Sequence, residues 1–290
     1  MDGYEIDKRE VRRAFTRAAN DYDAAAVLQR EVCQRMLERL EYIKLKPECI
    51  LDVGSGTGWG TRRLTQCYPS AQMIALDIAS GMLLAARGHS GWWQKLFGGA
   101  RQMQVCGDME ALPLAANSLD MVWSNLAVQW CNDLPATFVE LHRVLKVDGL
   151  LMFSTFGPDT LKELRRAFSG VDQHNHLSRF TDMHDIGDML VHGGFAEPVM
   201  DMEYITLTYD DVRGVLQDLK AIGAHNATAG RAHGLMGKNA WARLVENYES
   251  LRSNGKLPAT FEVVYGHAWK PQPKQTADGR AIIKTSFKLK

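Results

Sequence analysis

Residues 50–58 read Ile-Leu-Asp-Val-Gly-Ser-Gly-Thr-Gly, an apolar run that ends in an acid and a turn with glycines at 54, 56 and 58. Alternate glycines let a backbone bend sharply after a strand and come close to a ligand, because no Cβ intrudes. The dinucleotide fingerprint requires its third glycine three places after the second. That place is Trp59 here, and Gly58 comes one residue early. Asp52 stands just before the turn, where its charge would repel a pyrophosphate approaching the next helix. A cationic nucleoside without phosphate suits this turn; a pyrophosphate-bearing one does not.

The residues that follow fit the same ligand. Asp77 ends the next apolar run, about twenty residues past the turn, where a carboxylate can accept hydrogen bonds from both ribose hydroxyls. In Cys106-Gly-Asp-Met109, Asp108 can take an exocyclic amine while Met109 packs against a ring face. Trp123-Ser-Asn-Leu126 places Asn125 at the end of a further strand. Each of these alone could equally cap a helix; together they put polar groups on four consecutive strand ends along one rim. S-adenosylmethionine (SAM) fits this set and NAD fits poorly. The expected cofactor contacts are Asp52, Gly54, Gly56, Thr57, Gly58, Asp77, Met82, Asp108, Met109 and Asn125.

The elements needed to position these groups are those of a parallel α/β sheet. Strands are expected at 50–53, 72–77, 101–106, 118–124 and 149–156, with helices at 60–68, 81–87 and 134–145. Residues 88–100, with Gly88, Gly91, Trp92, Trp93, Gly98 and Gly99, read as a surface loop. Before the first strand, Val11, Phe15, Ala18, Tyr22 and Ala26, then Val32, Met36 and Leu40, recur at helical steps over about residues 7–42. The cluster Asn20-Asp21-Tyr22-Asp23 is poor in helix formers and is where that helix would break. Beyond residue 157, helices are expected at 159–168 and 182–192, and strands at 199–208 and 261–269 that could pair as an antiparallel edge. Residues 209–253 between them carry two helices and a glycine-rich stretch, 223–237, long enough to read as a functional lid with a hinge. The domain reading is a helical cap (1–47), a core (48–208), a helical lid insertion (209–258), and a last core strand with a tail (259–290). Within that tail, 281–289 could form a short strand.

Composition bounds the rest. A chain of 290 residues can bury a sizeable core, and its 34 basic and 34 acidic residues cancel. Bulk charge therefore gives no case for nucleic acid or an anionic membrane as partner. Cys33, Cys49, Cys67, Cys106 and Cys131 are odd in number, scattered and without metal-ligand or redox spacing, which suits reduced thiols in a cytoplasm. The first residues contain no apolar signal core, and no stretch approaches a membrane span. Asp172, His174 and His176 lie together in a polar run with no further ligand nearby, and a surface loop is the better reading than a metal site.

At these residues the chain resembles the class I SAM-dependent methyltransferases over most of 48–157. The likeness includes Leu141-His-Arg-Val-Leu-Lys-Val-Asp-Gly149, which has Val-Asp-Gly where the family usually has Pro-Gly. It implies a Rossmann-like, seven-stranded, mostly parallel sheet with a reversed edge hairpin. Three stretches outside the cofactor motif carry a narrower resemblance, to the malonyl-acyl-carrier-protein O-methyltransferases of biotin synthesis. They are Arg12-Arg-Ala-Phe-Thr-Arg-Ala-Ala-Asn-Asp-Tyr-Asp23, Ser124-Asn-Leu-Ala-Val-Gln-Trp-Cys131, and Asp218-Leu-Lys-Ala-Ile-Gly-Ala224 with Gly230-Arg231. A related group of mitochondrial assembly factors, thought to hydroxylate a protein arginine, shares parts of the pattern, and a SAM-binding scaffold without catalysis is a third reading.

The narrower resemblance implies methyl transfer to the free carboxylate of a malonyl thioester, carried by an acidic acyl carrier protein or by coenzyme A. That carboxylate is ionised at neutral pH, so no general base is required and no catalytic residue in that sense is expected. The expected substrate contacts are Tyr22, Trp130, Arg143, Lys220 and Arg231. Tyr22 either touches a substrate or cofactor carboxylate or packs in the core, and Trp130 either walls the acyl pocket or is core. Arg143 either grips the malonyl carboxylate in a bidentate way or is a structural arginine. The basic run Lys8, Arg9, Arg12, Arg13 and Arg17 is either a carrier-protein contact or a solvated helix face.

Overall fold

The computed structural model describes residues 5–88, 102–171, 179–221 and 236–273. Seven strands, β1 (Cys49–Val53), β2 (Gln72–Asp77), β3 (Gln102–Cys106), β4 (Leu119–Asn125), β5 (Leu145–Phe156), β6 (Ala196–Tyr209) and β7 (Leu257–Trp269), form one sheet in the order β3-β2-β1-β4-β5-β7-β6. The first five pair in parallel, and β7 runs antiparallel to both β5 and β6. Side chains alternate between faces along each strand, and this sorts the core into two halves. Ile50, Met73, Met121, Trp123 and Leu150 pack on one side, and Leu51, Val53, Ile74, Val122 and Leu151 on the other. Strands buried on both faces read as continuous apolar runs, which is why their sequences are legible.

The helices are α1 (Lys8–Ala18), α2 (Tyr22–Ala25), α3 (Val27–Leu40), α4 (Trp59–Cys67), α5 (Ser80–Gly88), α6 (Leu134–Val144), α7 (Lys162–Phe168), α8 (Met183–His192), α9 (Val212–Ala221) and α10 (Lys238–Glu249). The N-terminal helix breaks where Asn20–Asp23 gives poor helix propensity, leaving the single turn α2 between α1 and α3. Strand β5 starts earlier than its apolar run suggests. Leu145 already pairs with Leu119, and the register then jumps so that Leu150 faces Met121. Asp148 takes a left-handed φ of 61° inside this irregularity and its N–H donates to the Lys270 carbonyl at 2.8 Å, so the turn survives without Pro-Gly.

Strand order reverses between β1 and β4, and a crevice opens there beyond the carboxyl ends of the strands. Residues 89–100 of the expected surface loop, Asp172, His174 and His176, residues 222–235 of the glycine-rich stretch and the strand expected at 281–289 lie outside the described residues. No described helix is long and apolar enough to cross a membrane, and the described residues hold no group of three or more side chains able to bind a metal. All five cysteines are free thiols.

Candidate functional site

The turn after β1 is built by backbone contacts. Gly54 and Ser55 donate their N–H groups to the Leu76 carbonyl at 2.8 and 3.0 Å, which bends the chain over the end of β2. Gly54, Gly56 and Gly58 all have positive φ, at 72°, 54° and 78°. At Gly54 space as well as φ demands glycine, because an added Cβ would lie 2.3 Å from Ala127 Cβ. Asp77 closes the turn from below: its carboxylate accepts the Gly56 N–H at 2.9 Å and the Ala79 N–H at 2.8 Å. Gly58 is the left-handed residue from which α4 starts.

Over this turn lies a groove with two lobes that share Tyr22, Gly54, Gly56 and Asn125. The first lobe encloses about 630 Å³ and is lined by Asp77, Met82, Asp108, Met109 and Trp130, with Lys8, Val11 and Phe15 of α1 as its outer wall. The second encloses about 460 Å³, with Asp23, Gln29, Arg30, Asp52, Ser55 and Thr57 among its walls. Asn125 ties the lobes to the sheet: its amide donates to the Gln29 carbonyl at 2.9 Å and its carbonyl accepts from Ser154 Oγ at 3.0 Å.

The floor of the groove is acidic and buried. Asp52 accepts the Thr61 hydroxyl at 2.5 Å, and burial, only partly offset by that bond, pushes its carboxyl up to about 7. Burial likewise pushes Asp77 up to about 6 despite its two backbone donors. The Tyr22 phenol is pushed well above its ordinary value, first by burial and then by the nearby Asp77 and Asp23 carboxylates, so it stays a hydrogen-bond donor. Thr57 donates its hydroxyl to Asp23, and Arg30 donates to the Asp23 carbonyl. In the second lobe, the buried Gln29 Oε1 and Ser55 Oγ have no hydrogen-bond partner among the described residues. Unmet polar atoms of this kind need a ligand or water. Buried acids and unmet polar groups beside a glycine turn fit a cationic amino-acid nucleoside.

The first lobe is roofed by the N-terminal segment. Lys8 Nζ reaches Asp108 at 3.0 Å and Glu110 at 2.7 Å, and Ile6 exchanges two backbone hydrogen bonds with the Asn132 side chain. Phe15 meets Trp130 edge to face at 5.4 Å. The structure does not bring every expected residue here. Arg143, on α6, spends its guanidinium on Glu140 at 2.7 Å and on the carbonyls of Leu114 and Leu112, at 2.9 and 3.1 Å, and so holds a loop away from the groove. Lys220 is exposed near the end of α9 and does not line either lobe, and Arg231 lies outside the described residues. Sequence reasoning missed Gln29, Arg30 and Ser55 as wall residues. The helix break at Asn20–Asp23 was the available signal for the first two, because it turns the start of α3 toward the glycine turn.

Comparison with known proteins agrees with this geometry. A family described as "Methyltransferase domain" matches residues 51–153. The YcgJ protein from Bacillus subtilis superposes with a TM-score of 0.59 at 14% identity, over 82% of this chain and 98% of that one. A phosphoethanolamine N-methyltransferase 2 from Haemonchus contortus, solved with S-adenosylhomocysteine, gives 0.50 at 18% identity, over 82% of this chain and 53% of that one. At such identities these two speak for the fold alone. The malonyl-[acyl-carrier protein] O-methyltransferase of Gallionella capsiferriformans is 76% identical over the whole of both chains. That of Nitrosospira multiformis is 63% identical over 93% of this chain and 91% of its own. Likeness at this level extends through the α1 roof and the insertion as well as the cofactor motif, and the chain belongs to the malonyl-[acyl-carrier protein] O-methyltransferase family.

Proposed function

We propose that this enzyme methylates the free carboxylate of a malonyl thioester on acyl carrier protein, in the cytoplasm, as an early step toward biotin. The observation that carries the reading is the 76% identity over the full length of a relative bearing that name. The fold alone would not carry it, since one fold serves many substrates. The same observation favours this reading over a protein-arginine modifier of the same fold and over a non-catalytic SAM-binding scaffold.

SAM supplies a methyl group on a sulfonium, which needs an acceptor placed in line with the C–S bond. The residues present divide the remaining work. Asp77 would hold the ribose, Asp108 and Met109 would hold the adenine, and Met82 lines the first lobe. Asp52, Gln29, Ser55 and Thr57, which line the second, would meet the amino-acid end. Tyr22 and Asn125 lie where the lobes meet, and the protonated Tyr22 hydroxyl can steady an anionic oxygen without neutralising it. The acceptor is already ionised, so the site works by alignment and water exclusion. Closure falls to the N-terminal cap (1–47) and the insertion (209–258), where α9 adjoins α2. Lys8 and Arg30 line the lobes, and Lys220 and Arg231 belong to that insertion; these are the candidate cations for the malonyl carboxylate.

The test is methyl transfer from labelled SAM to malonyl-, acetyl- and succinyl-carrier protein. A base-labile ester on the malonyl form alone is expected. Equal labelling of the succinyl form would remove the chain-length reading, and no labelling of any form, with SAM bound, would remove the carboxylate reading.

A further inference from the structure

The stretch from Lys8 to Arg17 holds five basic residues in a chain whose 34 basic and 34 acidic residues cancel overall, and α1 sorts them onto two sides. Lys8 turns inward to Asp108 and Glu110 at the rim of the first lobe. Arg9, Arg12, Arg13 and Arg17 are exposed, and residues three, four and eight apart share one face of a helix. The opposite side is apolar: Val11 and Ala14 are buried, and Phe15 and Ala18 pack with Met82 and Ala79. The four arginines therefore form the outer surface of the wall that closes the groove.

The helix itself does not account for them. Arg9 stands in the first turn, where a cation opposes the helix dipole, and the Asp7 carboxylate is engaged in capping the Arg9 and Glu10 N–H groups. Arg13 pairs with Glu10 at 2.7 Å and stays 68% exposed, while Arg9, Arg12 and Arg17 make no ion pair among the described residues. Like charges held this close repel unless a partner meets them.

We propose that the outer face of α1, carrying Arg9, Arg12, Arg13 and Arg17, is the docking surface for the acidic carrier protein that delivers the thioester. This rests on the proposed substrate. Charge complementarity selects the occupant: a positive patch on a neutral protein speeds and orients encounter with an anionic one. Position adds a consequence. A carrier seated on α1 lies beside the groove its thioester must enter, and it presses on the helix that covers the cofactor lobe.

The test compares the full-length wild type with a variant combining Arg9→Glu, Arg12→Glu, Arg13→Gln and Arg17→Gln. Acids near the start of α1 suit its dipole, so the helix is retained. The substrates are malonyl-carrier protein and malonyl-pantetheine, which has the same reacting end without protein or phosphate. The KM for the carrier substrate should rise about tenfold or more at low salt, with kcat, SAM affinity and turnover of malonyl-pantetheine within about twofold. Wild-type KM should climb as salt screens the contact, and the variant's should not. An unchanged carrier KM, or an equal loss on both substrates, overturns the docking surface. Failure of the wild type on both substrates instead overturns the proposed substrate, and the docking assignment falls with it.

Discussion

Three acids at consecutive strand ends differ in what they do because their partners differ. Asp77 is locked between two backbone donors of the turn and faces the first lobe; Asp52 meets the hydroxyl and backbone N–H of Thr61 and faces the second; Asp108 is shared between the lobe and Lys8. Asp77→Ala should therefore remove a ligand contact and loosen the Gly56 N–H together. Hydrogen bonds to a charged group are worth about 1.5–3 kcal/mol, so calorimetry should show SAM affinity falling roughly 10- to 100-fold while circular dichroism stays native. Unchanged affinity would reject the ribose assignment. Arg143 gives the opposite expectation. Its partners are on its own helix and on a loop away from the groove, and its side chain is 38% exposed. Arg143→Ala should cost about 1 kcal/mol of stability and leave SAM affinity and the KM for the malonyl substrate unchanged; a large KM effect at normal Tm would restore it as a substrate contact. The sequence alone could not decide whether Arg143 is a substrate contact or a structural arginine, because the carbonyls of Leu112 and Leu114 that claim it arrive from a loop with no motif of its own.

At the scale of elements, what was legible is what repeats. Strands β1, β2 and β4 are apolar on both faces and bounded by turn residues, and each was expected within a residue or two of where it stands. The packing of α1 was not legible, because the stripe Val11, Ala14, Phe15 says that one face is buried without saying against what. The answer lies in Gly81 of α5, where an added Cβ would meet Thr16 at 2.9 Å on its methyl and 3.0 Å on its Cα. That near-contact of two helices lets Phe15 reach Trp130 and lets Lys8 reach Asp108. Gly81→Val should lift α1 from the groove. Limited proteolysis should then cut the N-terminal segment faster, SAM affinity should fall, and added SAM should slow the cutting. A variant with wild-type cleavage and affinity would show that the roof does not depend on this approach.

For the molecule as a whole, the reversal of strand order places buried carboxylates at the centre of one groove, and this links stability, proton binding and ligand charge. In the folded chain burial raises Asp52 to about 7 and Asp77 to about 6, against about 3.9 for an unfolded aspartate. The native state thus binds more protons than the unfolded state across that interval, and stability contributed by these two groups declines as pH rises from about 4 to about 7, then levels off. A sulfonium in the groove favours the ionised forms and reverses the penalty. SAM binding should therefore release protons near pH 6.5 and tighten between about pH 5.5 and 7.5. Calorimetry in two buffers of different ionisation enthalpy counts those protons directly. S-adenosylhomocysteine, which lacks the sulfonium charge, should release fewer, and Asp52→Asn should remove part of the release while retaining the fold. Equal proton counts for the two ligands would mean that the acidic floor does not read the methyl donor's charge, and that discrimination between donor and product comes from shape around Tyr22 and Asn125 instead.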